Sequence, residues 1–350
     1  MNQPTKRSSL QRLLAPGRSR DANGLVTPPD QAATEAPPRR PSRYVLLGVL
    51  VALIVAFSFA QPQSFPTRGN FNSILISQAV TLILAIGLLI ALRAGDFDLS
   101  IAATMNFAAV IVAVLTVNHH VPLALAILIA MAASLVIGIV NGILIVVVGI
   151  DGFVSTLGMQ TLLSGLAYGA TNSEVIDELP HGLTSFASWS IGPVPGAAVY
   201  GWILVVIVWY VFEKTGLGRY LLFVGGNRDA ARLVGLRVRE LRIGAFVVCA
   251  LVAGFAGLVL AGSQGAVDPS AGAQYLLPAY AAAFLGTAAI HMGRFNAFGT
   301  LIALYVLTVG VTGLELAGAP NWIGDVFNGA ALIIALMAAR WFAAREGSTA

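Results

Sequence analysis

The chain has 350 residues and a net charge of +4; 57% of it is hydrophobic without counting glycine, and only 10% is charged. An ordinary globular domain carries about 25% charged residues. With a mean hydropathy of +0.83, the apolar surface exceeds what one water-soluble core can hide, which excludes a soluble enzyme and a nucleic-acid binder and makes lipid the solvent.

Residues 1–43 hold eight basic residues from Lys6 to Arg43, prolines at 16, 28, 29, 37, 38 and 41, and no apolar period. They are predicted to be a disordered basic tail. Ten apolar runs follow, at 44–60, 71–92, 99–117, 122–149, 153–170, 198–212, 243–263, 276–290, 296–316 and 322–342. The first run is predicted to be an uncleaved span, because the polar tail before it is longer than a whole signal peptide of about 15–30 residues. The expectation is an all-α polytopic bundle of about ten transmembrane helices over 44–342, with 343–350 as a C-terminal tail. With both termini in the cytoplasm, 19 of the 20 Lys and Arg residues fall inside and Arg68 alone falls outside, as the positive-inside rule demands. Spans 2–5 and 7–10 then run in opposite orientations, which predicts an inverted repeat.

Few residues in the apolar runs carry chemistry. Asp96 and Asp98 stand after the second run, in Arg93-Ala-Gly-Asp-Phe-Asp-Leu-Ser100. Ala94-Gly95 breaks the helical pattern, and Asp98 or Ser100 is placed to cap the next helix. This segment is either an interfacial cap or a break facing a transport route. Neutral polar residues within the runs suit an uncharged polyhydroxy solute, which needs hydrogen bonds and no counter-charge. Gln78, Asp98, Ser100, Asn106, Phe153, Thr156 and Gln160 are the candidates for lining a solute route, with Asn141 and Ser155 in the same runs. The Gly138–Gly142 and Gly165–Gly169 pairs suit helix packing. His119–His120 cannot complete a metal site, and Cys249 lies alone in an apolar run, so no metal, disulfide or cofactor is expected.

Residues 214–242 form the large inside segment, with seven basic and two acidic residues. Asn227 is predicted to cap a short helix that Gly235 ends, a rigid element suited to docking. The helix is expected to present Ala230, Ala231 and Arg232 to its partner. The chain has no Walker A loop, since Lys214-Thr215 lacks the preceding glycines. If ATP drives transport, another subunit brings the ATPase.

At this point the motifs resemble the membrane permeases of ribose-type ABC sugar importers, within the branched-chain amino acid/ribose permease superfamily. Asp98, Leu99 and Ser100 match the family's Gly-x-Asp-Leu-Ser, although Asp96 and Phe97 stand where the family has smaller or apolar residues. Phe153-Val-Ser-Thr156-Leu-Gly158 is similar to its Phe-hydrophobic-x-Thr-Leu-Gly. The cytoplasmic hallmark is matched by Thr215, Gly218, Arg219, Gly225, Gly226, Asn227, Ala230, Ala231, Arg232, Leu233 and Gly235. The resemblance covers about 44–340. It implies a non-enzymatic permease subunit of a bacterial cytoplasmic membrane, paired with a second copy or a paralogue. It also implies a cytoplasmic ATP-binding cassette subunit that docks on the 214–242 residues just named, and a periplasmic or lipid-anchored sugar-binding protein. The competing expectation is an ion-coupled secondary transporter that uses Asp96 and Asp98 as proton or sodium ligands.

Overall fold

The computed structural model describes residues 44–291 and 293–347, with side chains as far as residue 337. The predicted tail at 1–43 and the last three residues lie outside the described residues. Each of the ten apolar runs is found as a helix. In chain order they are α1 (Val45–Ala60), α2 (Arg68–Arg93), α3 (Ile101–Ala113), α4 (Leu123–Gly142), α5 (Gly152–Thr171), α7 (Gly196–Lys214), α10 (Val238–Gln264), α11 (Ala273–Gly286), α12 (Ala297–Leu316) and α13 (Ile323–Gly347). α3 and α4 each continue as a π-helical turn, over Val114–Asn118 and Ile143–Val148. Among the described residues, six helices are long and apolar enough to cross a membrane: α2, α3 with its π turn, α4 with its π turn, α7, α10 and α12. α1 is shorter, at 16 residues, and α11 has 14.

The segment 171–197 holds more structure than its Ser/Pro/Gly composition suggests. A short helix, α6 (His181–Ser188), is followed by a hairpin of β1 (Ser190–Ile191) and β2 (Val194–Pro195). In the 214–242 segment, α8 (Gly216–Gly226) precedes the expected short helix, α9 (Arg228–Leu233). The C-terminal part expected as a tail from 343 continues α13 as far as Gly347.

α2 is the central element. It is apolar on every face from Ala79 to Leu92, and a helix apolar all round must be covered all round. α7, α10, α11 and α12 do so. α10 is the second axis, packed on α2, α3 and α4. Glycines permit the close crossings. A Cβ at Gly138 would sit 2.8 Å from the Val247 Cα, one at Gly142 3.1 Å from the Ile243 Cα, and one at Gly257 would collide with the Met105 carbonyl. Gly138–Gly142 is therefore the packing pair that the sequence predicts. The Gly165–Gly169 pair is not: nothing lies within 4 Å of a Cβ at either position, so that face of α5 has no partner among the described residues.

α10 also separates two ends of the bundle. Near its first turn, Val238 and Leu241 pack with Val224 and Ala231 of α8 and α9. Near its last turn, Gly262 meets the backbone of α6 at Leu183. Their spacing along α10, from Val238 and Leu241 to Gly262, puts these features about 32–36 Å apart at 1.5 Å per residue.

Candidate functional site

Between α2 and α3 the chain leaves the helix for seven residues, 94–100, and then buries its polar groups. Asp98 is 2% exposed. Its Oδ1 accepts from the Ser100 N–H (2.9 Å) and from the Ser100 hydroxyl (2.6 Å). The Asp98 N–H donates to the Tyr280 hydroxyl (3.1 Å), and the Cys249 thiol lies 3.8 Å from its Oδ2. Ser100 Oγ accepts from Asn141 Nδ2 (2.8 Å). The Leu99 N–H donates to Thr156 Oγ1 (3.1 Å), while the Thr156 hydroxyl turns back to the Gly152 carbonyl (2.8 Å). Asp98 thus organises the start of α3 and is joined to α4, α5, α10 and α11 through named groups.

Asn106 lies about a turn and a half further along α3 and donates to the Pro269 carbonyl (2.7 Å). Four buried oxygens near these helices have no hydrogen-bond partner among the described residues: Asn106 Oδ1, Asn141 Oδ1, Ser155 Oγ and Gln160 Oε1. An unsatisfied buried acceptor costs about 1–3 kcal/mol, so four on three adjoining helices call for an explanation. Of the predicted route residues, Asp98, Ser100 and Thr156 are joined in one network, while Asn106 and Gln160 supply free acceptors. Gln78 is half-buried on α2 and joins none of these hydrogen bonds. Phe153 is 57% exposed on α5; it does not enter the network.

The second region is built from 214–242. Thr215 caps α8, its hydroxyl accepting from the Gly218 N–H (3.4 Å). Gly218 lies against the Phe212 backbone, where no side chain fits. Asn227 caps α9 as predicted, with Oδ1 accepting from the Asp229 and Ala230 N–H groups (3.1 and 3.0 Å). Gly235 ends the element at φ +82°, a left-handed conformation that glycine adopts without strain. Arg219 and Gly226 are exposed, Ala230 is half-buried, and Arg232 pairs outward with Asp229 at 3.0 Å.

The structure corrects the predicted face of α9. Ala231 is fully buried against Val224 and Val238, so it seats the helix on its own chain and cannot meet a partner. The apolar residues that point outward, beside the exposed Asp229 and Arg232, are Leu233, 89% exposed, and Val234, 66% exposed. Nor do all seven basic residues face outward. Arg242 grips Asp96 through Nε–Oδ2 (2.7 Å) and Nη2–Oδ1 (2.6 Å). Arg228 donates to Asp96 Oδ1 (3.0 Å) and to the Gly95 carbonyl (2.8 Å). On the other side, the Arg93 guanidinium donates to the carbonyls of Phe212, Gly218 and Phe295 at 3.1–3.2 Å and lies over the Phe212 ring.

Residues 70–336 match the family described as branched-chain amino acid transport system, permease component. The chain belongs to this family. It is a multi-pass membrane transporter component and not itself an enzyme. Among curated relatives, the ribose import permease protein RbsC of Escherichia coli K12 is 29% identical over 292 residues, covering 82% of this chain and 90% of the relative. The autoinducer 2 import system permease protein LsrD of Klebsiella pneumoniae is 30% identical over 302 residues, covering 83% and 89%. The Haemophilus influenzae RbsC is 26% identical over 301 residues, covering 85% and 93%. No solved structure matches the chain.

Proposed function

We propose that this permease subunit carries a monosaccharide or related polyol inward across the bacterial cytoplasmic membrane, driven by ATP hydrolysis in a separate cassette subunit. The observation that carries this reading is α9, a capped six-residue helix seated by Ala231 with two apolar side chains turned outward, in a chain that lacks a Walker A loop of its own. A helix fixed at both ends transmits force, whereas a merely topogenic basic loop needs neither cap nor stop. Of the two carboxylates an ion-driven carrier would use, Asp96 is held by two guanidiniums and Asp98 Oδ1 by the Ser100 N–H and hydroxyl.

The solute class follows from the four unpaired acceptors. Amide and hydroxyl oxygens on α3, α4 and α5 match the hydroxyl groups of a polyol, and the names of the relatives agree with a sugar or sugar-like solute. The ten helices are proposed to cross the membrane with both termini inside, so that α9 lies at the cytoplasmic surface and α6 at the outer one. Spans 2–5, α2 to α5, and spans 7–10, α10 to α13, are proposed as the two halves of an inverted repeat. The open face of α5 at Gly158, Gly165 and Gly169 is where a second copy or paralogue would pack. A periplasmic or lipid-anchored binding protein would deliver solute at the α6 end.

The test is substrate competition. Vesicles containing the permease, its cassette ATPase and its binding protein are loaded with ATP and offered labelled ribose against a panel of pentoses, hexoses and polyols. Uptake of the label, or its suppression by one panel member, is expected. Uptake of leucine with no sugar or polyol transported would overturn the solute assignment.

A further inference from the structure

The run Arg93–Ser100 carries three charged side chains that leave it in three directions. Arg93 reaches α7, α8 and Phe295. The Asp98 carboxylate reaches Ser100 and Cys249, while its backbone N–H donates to the Tyr280 hydroxyl. Asp96, between them, reaches Arg228 and Arg242. Arg228 is the first residue of α9, and Arg242 lies in the second turn of α10. One carboxylate, 5% exposed, therefore holds both flanks of the stretch that contains the docking helix.

The grip has a defined geometry. The Arg242 fork is bidentate, which fixes orientation as well as distance. The backbones are equally close: a Cβ at Gly95 would sit 3.1 Å from the Gly225 Cα, and one at Gly225 would collide with the Arg93 carbonyl. Arg228 also holds the Gly95 carbonyl. Gly95 is the residue of this run with positive φ, +78°, and it stands on the α2 side of Asp96. Rotation there would let 96–100 follow α9 while α2 stays buried in the core. Only Phe97 separates Asp96 from Asp98, so displacement of the one reaches the network at Asp98, Ser100, Asn141 and Thr156.

We propose that Asp96 is the positioning residue that couples α9 to the solute-facing run Asp98–Ser100, with Gly95 as its hinge. This rests on the importer function proposed above. When the ATP-binding subunit moves α9, Arg228 and Arg242 carry Asp96 with them, and the start of α3 follows. The carboxylate touches neither solute nor nucleotide. Its loss would leave binding and hydrolysis in place and disconnect them.

The experiment measures solute uptake and ATP hydrolysis in the same proteoliposomes, holding permease, cassette ATPase and binding protein, for wild type, Asp96→Asn, Arg228→Gln and the double variant. Asp96→Asn is expected to assemble and hydrolyse ATP, with uptake per ATP reduced by about tenfold, at the larger end of coupling effects. Arg228→Gln removes only the partly exposed arm and is expected to lower the ratio about threefold. The double variant should fall short of the roughly thirtyfold product of two independent losses, because the two share the Arg228–Asp96 contact, although Arg228 also holds the Gly95 carbonyl. A ratio within twofold of wild type in Asp96→Asn would overturn the proposal. Should Asp96→Asn fail to assemble, Arg228→Gln decides, and an unchanged ratio there overturns it. Absence of ATP-driven uptake in the wild type itself would instead refute the importer function, so the two failures are distinct.

Discussion

Leu233 gives the docking surface a measurable magnitude. It is 89% exposed at the end of α9, while the helix is fixed by the Asn227 cap and the buried Ala231, which it does not touch. Leu233→Ala should therefore leave the fold intact and act only on the contact with the ATP-binding subunit. The change removes three carbon atoms, and at about 0.8 kcal/mol per buried CH₂ their burial contributes about 2.4 kcal/mol. At about 1.4 kcal/mol per tenfold, binding should weaken roughly 50-fold. Val234→Ala removes two carbons, about 1.6 kcal/mol, and should weaken it roughly 15-fold. Arg232→Ala breaks only an exposed pair with Asp229; such pairs are worth about 0–1 kcal/mol, so its effect through that pair should stay below about fivefold. The assay is titration of nanodisc-embedded permease with fluorescently labelled cassette ATPase, with thermal unfolding as the fold control. Leu233→Ala and Val234→Ala both within twofold of the wild-type Kd would refute the assignment of this face.

Four further outcomes are expected. Alanine at Asn106 or Gln160 should slow solute uptake about two- to twelvefold, the equivalent of one hydrogen bond of about 0.5–1.5 kcal/mol, without changing binding-protein affinity measured by calorimetry. Gly257→Val should lower the unfolding temperature by several degrees, since overpacking costs about 1–3 kcal/mol, whereas Gly165→Ala, which meets nothing, should leave it unchanged in a tryptophan-fluorescence melt. In a Cys249→Ala background, Gly165→Cys should form an intermolecular disulfide on oxidation if α5 faces a second copy; a monomer only on non-reducing gels would count against that arrangement. In the same background, cysteines at Ser188 and Arg237 should react with an impermeant maleimide from opposite membrane faces, and same-side labelling would contradict the proposed threading.

Each of the ten apolar runs read from the sequence is a helix, because long apolar runs bounded by polar residues leave few alternatives, whereas α8 was not located. Sequence pattern also placed the Asn227 cap and the Gly235 stop, whose physics is local. Phase and distance were beyond it. A six-residue helix turns less than twice, so nothing in Asp229-Ala-Ala-Arg-Leu-Val says that Ala231 faces in and Leu233 out. Gly138–Gly142 and Gly165–Gly169 have identical spacing, yet only the first meets a neighbouring helix. The 171–197 segment concealed α6 and a hairpin, since Ser, Pro and Gly read as loop wherever short elements are stitched by turns. In the hydrogen-bond network around Asp98, Asp98 and Ser100 themselves were visible through their break in the apolar pattern. Cys249 and Tyr280 were not, being ordinary residues within apolar runs. The Asp96–Arg242 pair spans 146 positions, and Arg242 carried no signal that set it apart from six other basic residues in its segment.

The energy source tests the account most directly. Proteoliposomes holding the permease with its cassette ATPase and binding protein are offered labelled sugar on the binding-protein side, once with ATP at the cassette and no ion gradient, and once with a proton or sodium gradient and no ATP. The account predicts accumulation in the first vesicles and none in the second. Accumulation driven by the gradient alone, unaffected by removal of the ATPase, would contradict it.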